Sequence, residues 1–123
     1  MGAKFDISIK QGILYVRATG EPTADEIIQV LKKLQDGTRY THKLRLWDYR
    51  NADFRLEKGD LERVSRQASK ADGEPGKVAM LVNQDLAFGL ARMYEVYRES
   101  VSTRVEVFRD ESKAVAWLLE KEL

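Results

Sequence analysis

The chain contains no cysteine. Disulfides, thiolate nucleophiles and cysteine-ligated zinc are excluded together, and with them the disulfide-stapled secreted module. There is one histidine, His42. Its near neighbours Thr41 and Lys43 form no nucleophile-and-base pattern, so it is expected as a surface loop residue. An excess of charge of one sign is also missing. Lys and Arg number 21 against 20 Asp and Glu, a formal net charge of +1, so no bulk field directs the protein to nucleic acid or an anionic membrane. No apolar run approaches the roughly 20 residues of a spanning helix, and none follows Met1-Gly2-Ala3-Lys4 in the manner of an export signal. The expectation is a cytoplasmic protein of bacterial type with no integral membrane segment. Glycine-rich phosphate loops are lacking too. Gly73-Glu74-Pro75-Gly76 precedes an apolar run instead of opening a helix, which makes it a turn. With one histidine and scattered carboxylates, neither a metal nor a cofactor is expected.

What is present is the composition of a soluble globular domain. Hydrophobic residues make up 43% and charged residues 33% of 123 positions, enough to bury a core without metal or disulfide. No linker, repeat or low-complexity segment divides residues 1–123, which read as a single domain. The organising stretch is Lys77-Val78-Ala79-Met80-Leu81-Val82-Asn83. It is apolar without interruption over 78–82 and bounded by turn formers, which predicts a strand buried on both faces at the middle of a sheet.

Around it the chain alternates strands and helices. Residues 4–10 alternate strictly, with Phe5, Ile7 and Ile9 on one side, and predict a half-buried edge strand. Gln11-Gly12 is a two-residue turn signal leading into a second strand over 13–18, hence a hairpin. Thr23-Ala24-Asp25-Glu26 matches a capping box, and Ile27, Val30, Leu31 and Leu34 follow at helical spacing up to Asp36-Gly37. The third strand, 43–49, carries Leu44 and Leu46 on one face and Trp47 and Tyr49 on the other. A second helix is expected with Asp60 as its N-cap, or from near Glu57, and buries Leu61, Val64, Ala68 and Ala71 before Asp72-Gly73. A third spans about 85–100, with Leu86, Leu90, Met93, Tyr94, Tyr97 and Val101 inward and Arg92, Glu95, Glu99 and Phe88 outward. Residues 103–108 form the last strand, and Asp110 caps a final helix burying Ala114, Val115, Trp117 and Leu118. The order is ββαβαβαβα, an α/β fold. Its five-stranded sheet must be mixed, because a hairpin precedes βα units whose crossovers are right-handed. The helices are expected to cover one face well and the other incompletely.

The closing stretch Val105-Glu106-Val107-Phe108-Arg109-Asp110-Glu111-Ser112-Lys113-Ala114-Val115-Ala116-Trp117-Leu118 resembles the last strand and helix of SpoIIAA-like proteins. These belong with the STAS domains, named for sulfate transporters and anti-sigma-factor antagonists. Residues 78–83 and the helix carrying Arg92-Met93-Tyr94 are similar to the same family's middle. The resemblance implies a STAS-like mixed sheet with helices wound in a βα superhelix, and a non-enzymatic regulatory domain acting on a protein partner. The family's best-known regulators carry a phosphorylatable Ser or Thr, in an Asp-Ser-Ser-Gly-like motif, at the start of the helix after the third strand. Asp48-Tyr49-Arg50-Asn51-Ala52-Asp53 stands there instead, and no Ser or Thr occurs from Asn51 to Val64. The expectation is an interaction domain without that switch. Its partner is a protein, with a homodimer as a further candidate and no nucleic acid.

The alternative is a small-molecule or anion binder, or an enzyme, using the carboxyl ends of the strands, where ligands of α/β sheets gather. Asp48, Arg50 and Asp53 follow the third strand, Asn83 and Asp85 the fourth, Arg109 and Asp110 the fifth, and Glu21 joins them if the second strand is parallel to these. Carboxylates held close shift each other's pKa toward acid-base work, and an Arg orients an anion. Helix capping accounts for Asp85 and Asp110 without a ligand. Arg63, Arg66 and Lys70 form a basic side of the second helix, but Glu62 and Asp60 intersperse it as on an ordinary solvated face. Phe88, placed on the solvent side of the third helix with Val96 at its margin, is a candidate anchor of an interaction surface.

Overall fold

The structure is a computed structural model that describes residues 2–36, 43–53, 56–70, 76–83, 85–98 and 103–120. The elements are β1 (Lys4–Lys10), β2 (Ile13–Gly20), α1 (Ala24–Asp36), β3 (Leu44–Ala52), α2 (Lys58–Ser69), β4 (Gly76–Leu81), α3 (Asp85–Arg98), β5 (Thr103–Phe108) and α4 (Glu111–Leu119). They form one five-stranded sheet in the order β1-β2-β3-β4-β5. β1 is antiparallel to β2, and every later neighbour is parallel. The mixed α/β sheet and the ββαβαβαβα order are those expected.

Local signals place most boundaries. Gln11 and Gly12 have φ of 55° and 76°, the left-handed pair of a type I′ turn whose twist suits a tight hairpin. At the head of α1 the Thr23 amide donates to Glu26 Oε1 at 3.0 Å, and the Glu26 amide to Thr23 Oγ1 at 3.2 Å. The capping box is therefore closed, and Glu26 Oε2 also accepts from the Ala3 amide. Asp110 caps α4 by accepting from the amides of Ser112 and Lys113.

Strand order follows chain order, so α1, α2 and α3 each cross from one strand to the next in the same direction. Crossovers of one hand then fall on one face. There Ile27, Leu31, Leu61, Val64, Ala91 and Tyr94 bury Leu14, Val16, Trp47, Tyr49, Val78, Met80 and Val82. Among the described residues no strand follows α4, and it returns over the second face, where Ala114 and Leu118 cover Ile13, Tyr15, Leu46, Ala79 and Leu81.

Several expectations are corrected. The run 78–82 is buried on both faces, but β4 is next to an edge and β3 is the middle strand. β2 is buried on both faces too, because α4 supplies a second cover. β3 runs to Ala52, three residues beyond the expected end. Of the two starts expected for α2, the structure takes the one near Glu57 and not the Asp60 cap: Glu57 is the N-cap, and Asp60 closes the capping box from the third helical position. Ile7 and Ile9 stay 37% and 50% exposed, since the helices stop short of β1. Met93 is 39% exposed, because α3 turns Ala91 and Tyr94 inward. Gly37, His42, Phe54, Ala71, Asp72, Gly73, Glu99 and Val101 lie outside the described residues.

Lys77, which opens the apolar run, holds α4 in place. It is 7% exposed, and its ammonium donates to the carbonyls of Trp117 at 2.9 Å and Glu120 at 3.2 Å. It also lies 5.2 Å from the Trp117 ring centroid. A cation at a helix carboxyl end satisfies carbonyls that have no helical partner and complements the helix dipole. Replacing it with Met should cost about 1–3 kcal/mol. Hydrogen exchange should accelerate at the α4 amides while the β2–β3 amides keep their order of protection. Equal acceleration throughout would show that the ammonium does not act on α4.

Candidate functional site

The parallel strands β2 to β5 present their carboxyl ends on one edge of the sheet. Asp48 lies opposite Arg17 across the β2–β3 pairing, on the face that α4 covers. It is 3% exposed. A carboxylate has about four acceptor positions, and four donors meet it. Arg17 Nη1 approaches Oδ2 at 2.7 Å, and Arg50 gives Nη2 to Oδ2 at 2.9 Å and both its backbone N and Nε to Oδ1 at 3.0 Å. Arg50 reaches it because residues two apart on a strand share a face. Glu111, the first residue of α4, completes the group, accepting from Arg50 Nη2 at 2.7 Å and from Arg17 Nη1 and Nη2 at 3.2 and 3.4 Å.

Two guanidinium groups and two carboxylates thus neutralise one another. Burial pushes the Asp48 carboxyl upward, but the hydrogen bonds and charge of Arg50, aided by Arg17, outweigh it and hold the group below the usual carboxylate range. Hydrogen bonding to Asp48, opposed by burial and aided by the charges of Asp48 and Glu111, raises Arg50. A carboxylate held ionised with its acceptor positions filled is poorly suited to proton transfer near neutral pH.

From this group a chain of contacts runs across the strand ends. Asn83 Nδ2 donates to the Arg50 carbonyl at 2.9 Å. Arg109 reaches the Asn83 carbonyl at 3.4 Å and Asp85 Oδ1 at 2.8 Å. Its guanidinium also lies 4.6 Å from the Phe88 ring centroid. The Arg109 and Asp85 side chains are 46% and 96% exposed, so this pair adds little stability.

Of the five candidate ligand residues, Asp48, Arg50, Asn83 and Arg109 are brought together, and Asp53 is not. With Glu21, Asp25, Asp60 and Arg63 it lines a separate open cleft of about 270 Å³ between the starts of α1 and α2. Arg63 pairs there with Asp25 and Asp60, while Arg66 and Lys70 are exposed. Phe88 is half-buried against the main core, which corrects the expectation of a solvent-facing ring. It sits in the first turn of α3, where the strand ends and Arg109 overhang it. Val96 is 68% exposed and lies two turns further along α3. Among the described residues no group of three or more potential metal ligands comes together.

Two members of the central group, Arg17 and Glu111, were not picked out from the sequence. Arg17 had a legible signal: it is the one charge in the apolar strand 13–18, at a position alternating with Ile13 and Tyr15 that must face inward. Glu111 follows a cap residue and reads as an ordinary first-turn acid.

No protein family model matches the sequence, and no curated protein matches it significantly. Solved structures do. One is an uncharacterised protein of the DUF3478 family, with a SpoIIAA-like fold, from Shewanella loihica PV-4. It is 19% identical, aligns over 95% of this chain and 94% of that one, and has a TM-score of 0.63. Another is an anti-sigma factor antagonist from Mycobacterium paratuberculosis, 12% identical over 96% and 95% of the two chains, with a TM-score of 0.71. The chain has a STAS/SpoIIAA-like fold.

Asp48→Asn should lower stability at pH 7 by about 1–3 kcal/mol, toward the lower end because Arg17 is partly solvated. A carboxyl whose folded pKa is depressed contributes stability that is present above its unfolded pKa, about 3.9, and is lost as pH falls through the folded value. The gap between wild type and variant should therefore close as pH drops below about 4. Denaturant titrations at several pH values check it, and a gap that persists in acid would contradict the assignment. Phe88→Ala should lower the melting temperature, by an amount corresponding to about 1–3 kcal/mol for a half-buried ring with a guanidinium over it. An unchanged melting temperature would return Phe88 to the solvent surface.

Proposed function

We propose that this chain is a non-enzymatic, regulatory protein-interaction domain that works without a phosphorylation switch. The observation that carries the reading is the closed group of Arg17, Asp48, Arg50 and Glu111. Asp48, the buried carboxylate of the group, has its acceptor positions filled by Arg17 and Arg50, which also meet Glu111, so these charged side chains are already engaged with one another when no substrate is bound. What the strand ends offer outward is a polar surface around Asp85, Arg109 and Ser112, of the kind a protein partner contacts.

The fold neighbour described as an anti-sigma factor antagonist supports a role of this kind. Two features support independence from phosphorylation. Residues 48–52 continue β3, where the resemblance would place the phosphorylated motif. Ser65, the first hydroxyl residue after them, is 5% exposed and donates to the Tyr97 carbonyl at 3.2 Å. The reading assigns the domain to the bacterial cytoplasm, where a cysteine-free chain is indifferent to reducing conditions. No helix among the described residues is long and apolar enough to cross a membrane. The alternative, an anion-binding or catalytic site, has the cleft at Asp53 as its open concavity. Glu21, Asp25, Asp53 and Asp60 line it against Arg63 alone, a balance that disfavours an anion.

Immobilised protein should retain a specific protein from extracts of the source cell, and adding that partner to labelled domain should perturb amide resonances around Asp85, Arg109 and Ser112. Phosphatase treatment should leave retention unchanged. Retention lost on phosphatase treatment of the domain would overturn the switch-free reading. Shifts confined to the Asp53 cleft on adding small metabolites, with no protein retained, would favour the binder.

A further inference from the structure

The two edges of the sheet are unlike. β5 has α3 over one face and α4 over the other, whereas β1 packs mainly on β2. Of its apolar residues, Phe5 is partly buried against the main core, and Ile7 and Ile9 are 37% and 50% exposed on the same side of the strand. A regular seven-residue edge strand with exposed branched apolar side chains, no proline and no bulge has only the charges of Lys4, Asp6 and Lys10 to oppose pairing, and these select among registers.

The hairpin fixes which backbone groups point outward. Lys10 pairs with Ile13 across the type I′ turn, so the amide and carbonyl of Lys10 face β2. By alternation those of Lys4, Asp6 and Ser8 do the same. Phe5, Ile7 and Ile9 therefore turn their amides and carbonyls to the open edge.

We propose that β1 is a homodimer interface. Two copies pair β1 with β1 antiparallel about a two-fold axis at Ser8, joining two five-stranded sheets into one. In this register Ile7 of each copy is the hydrogen-bonded partner of Ile9 of the other, and both exposed isoleucines are covered. Asp6 of each copy stands opposite Lys10 of the other in a non-hydrogen-bonded pair, where side chains approach most closely. The register centred on Ile7 has the same backbone pattern but sets Lys4 against Lys10 twice, and like charges directly opposite are destabilising. Charge thus selects the Ser8 register, and a two-fold interface makes each favourable contact twice. The dimer is weak, with dissociation in the micromolar range, because a single strand pair is a small interface. Partner capture at the strand ends does not depend on it, so either reading fails without the other.

Sedimentation velocity across roughly 1–300 µM brackets such an affinity. The wild type should pass from monomer to dimer. Ile9→Lys should be monomeric throughout with its melting temperature at low concentration unchanged, since the residue is exposed in one copy. Asp6→Lys and Lys10→Asp should each weaken association about tenfold by setting like charges opposite, and the double variant should recover the wild-type constant. Recovery distinguishes pairing across the interface from loss of Asp6 beside Arg17 within one copy, which the double variant does not repair. A wild type that stays monomeric overturns the proposal. So does a dimer indifferent to Ile9→Lys, for example one that responds to Arg104→Glu at the β5 edge, or a double variant no better than the singles.

Discussion

A carboxylate inside a sheet is the constraint on which this fold turns. Asp48 cannot be ionised and nearly inaccessible without cations at contact distance, because an unpaired buried charge costs several kcal/mol. Its cations come from β2 and from two residues further along β3, and the shared carboxylate of Glu111 draws the start of α4 over the second face. A one-residue slip of β3 against β2 would move Asp48 to the face of Trp47 and Tyr49 and leave the guanidinium of Arg17 behind. Register, helix docking and charge balance are thus settled together.

The same group bears on function. Catalytic sites on α/β sheets depend on strand-end residues left incompletely satisfied until a ligand arrives. Here Asp48, Arg50, Arg17 and Glu111 are engaged with one another in the resting molecule, while the separate cleft at Asp53 stays open.

How much of this was legible in the sequence depended on whether the signal was local. The hairpin turn at Gln11-Gly12, the Thr23 and Asp110 caps and the β5–α4 junction are short-range devices, and each was readable within a few residues. The position of β4 was not. An uninterrupted apolar run reports burial on two faces, but it does not tell a central strand from one beside the edge when a terminal helix folds back as a cover. Phe88 misled the helical wheel because the wheel describes one helix alone, and what covers the ring is the strand end carrying Arg109. Arg17 meets Asp48 across 31 positions of sequence and Glu111 meets Arg50 across 61, and no spacing rule joins them. Asp53 was grouped with Asp48 because five residues are few along the chain. On an extended strand they carry the residue roughly 16 Å further along the same edge, into the cleft with Glu21.

The sheet is wound in the order in which the chain is synthesised. A ribosome releasing these residues makes the hairpin before the βα units, and every later strand meets as its neighbour the one released just before it. Contacts stay short in sequence, which favours rapid folding. α4 is the exception. Until it emerges, Ile13, Tyr15, Leu46, Ala79 and Leu81 present an apolar plain to whatever chaperone or nascent chain is near. The emergence of α4 therefore decides when the nascent domain stops being sticky.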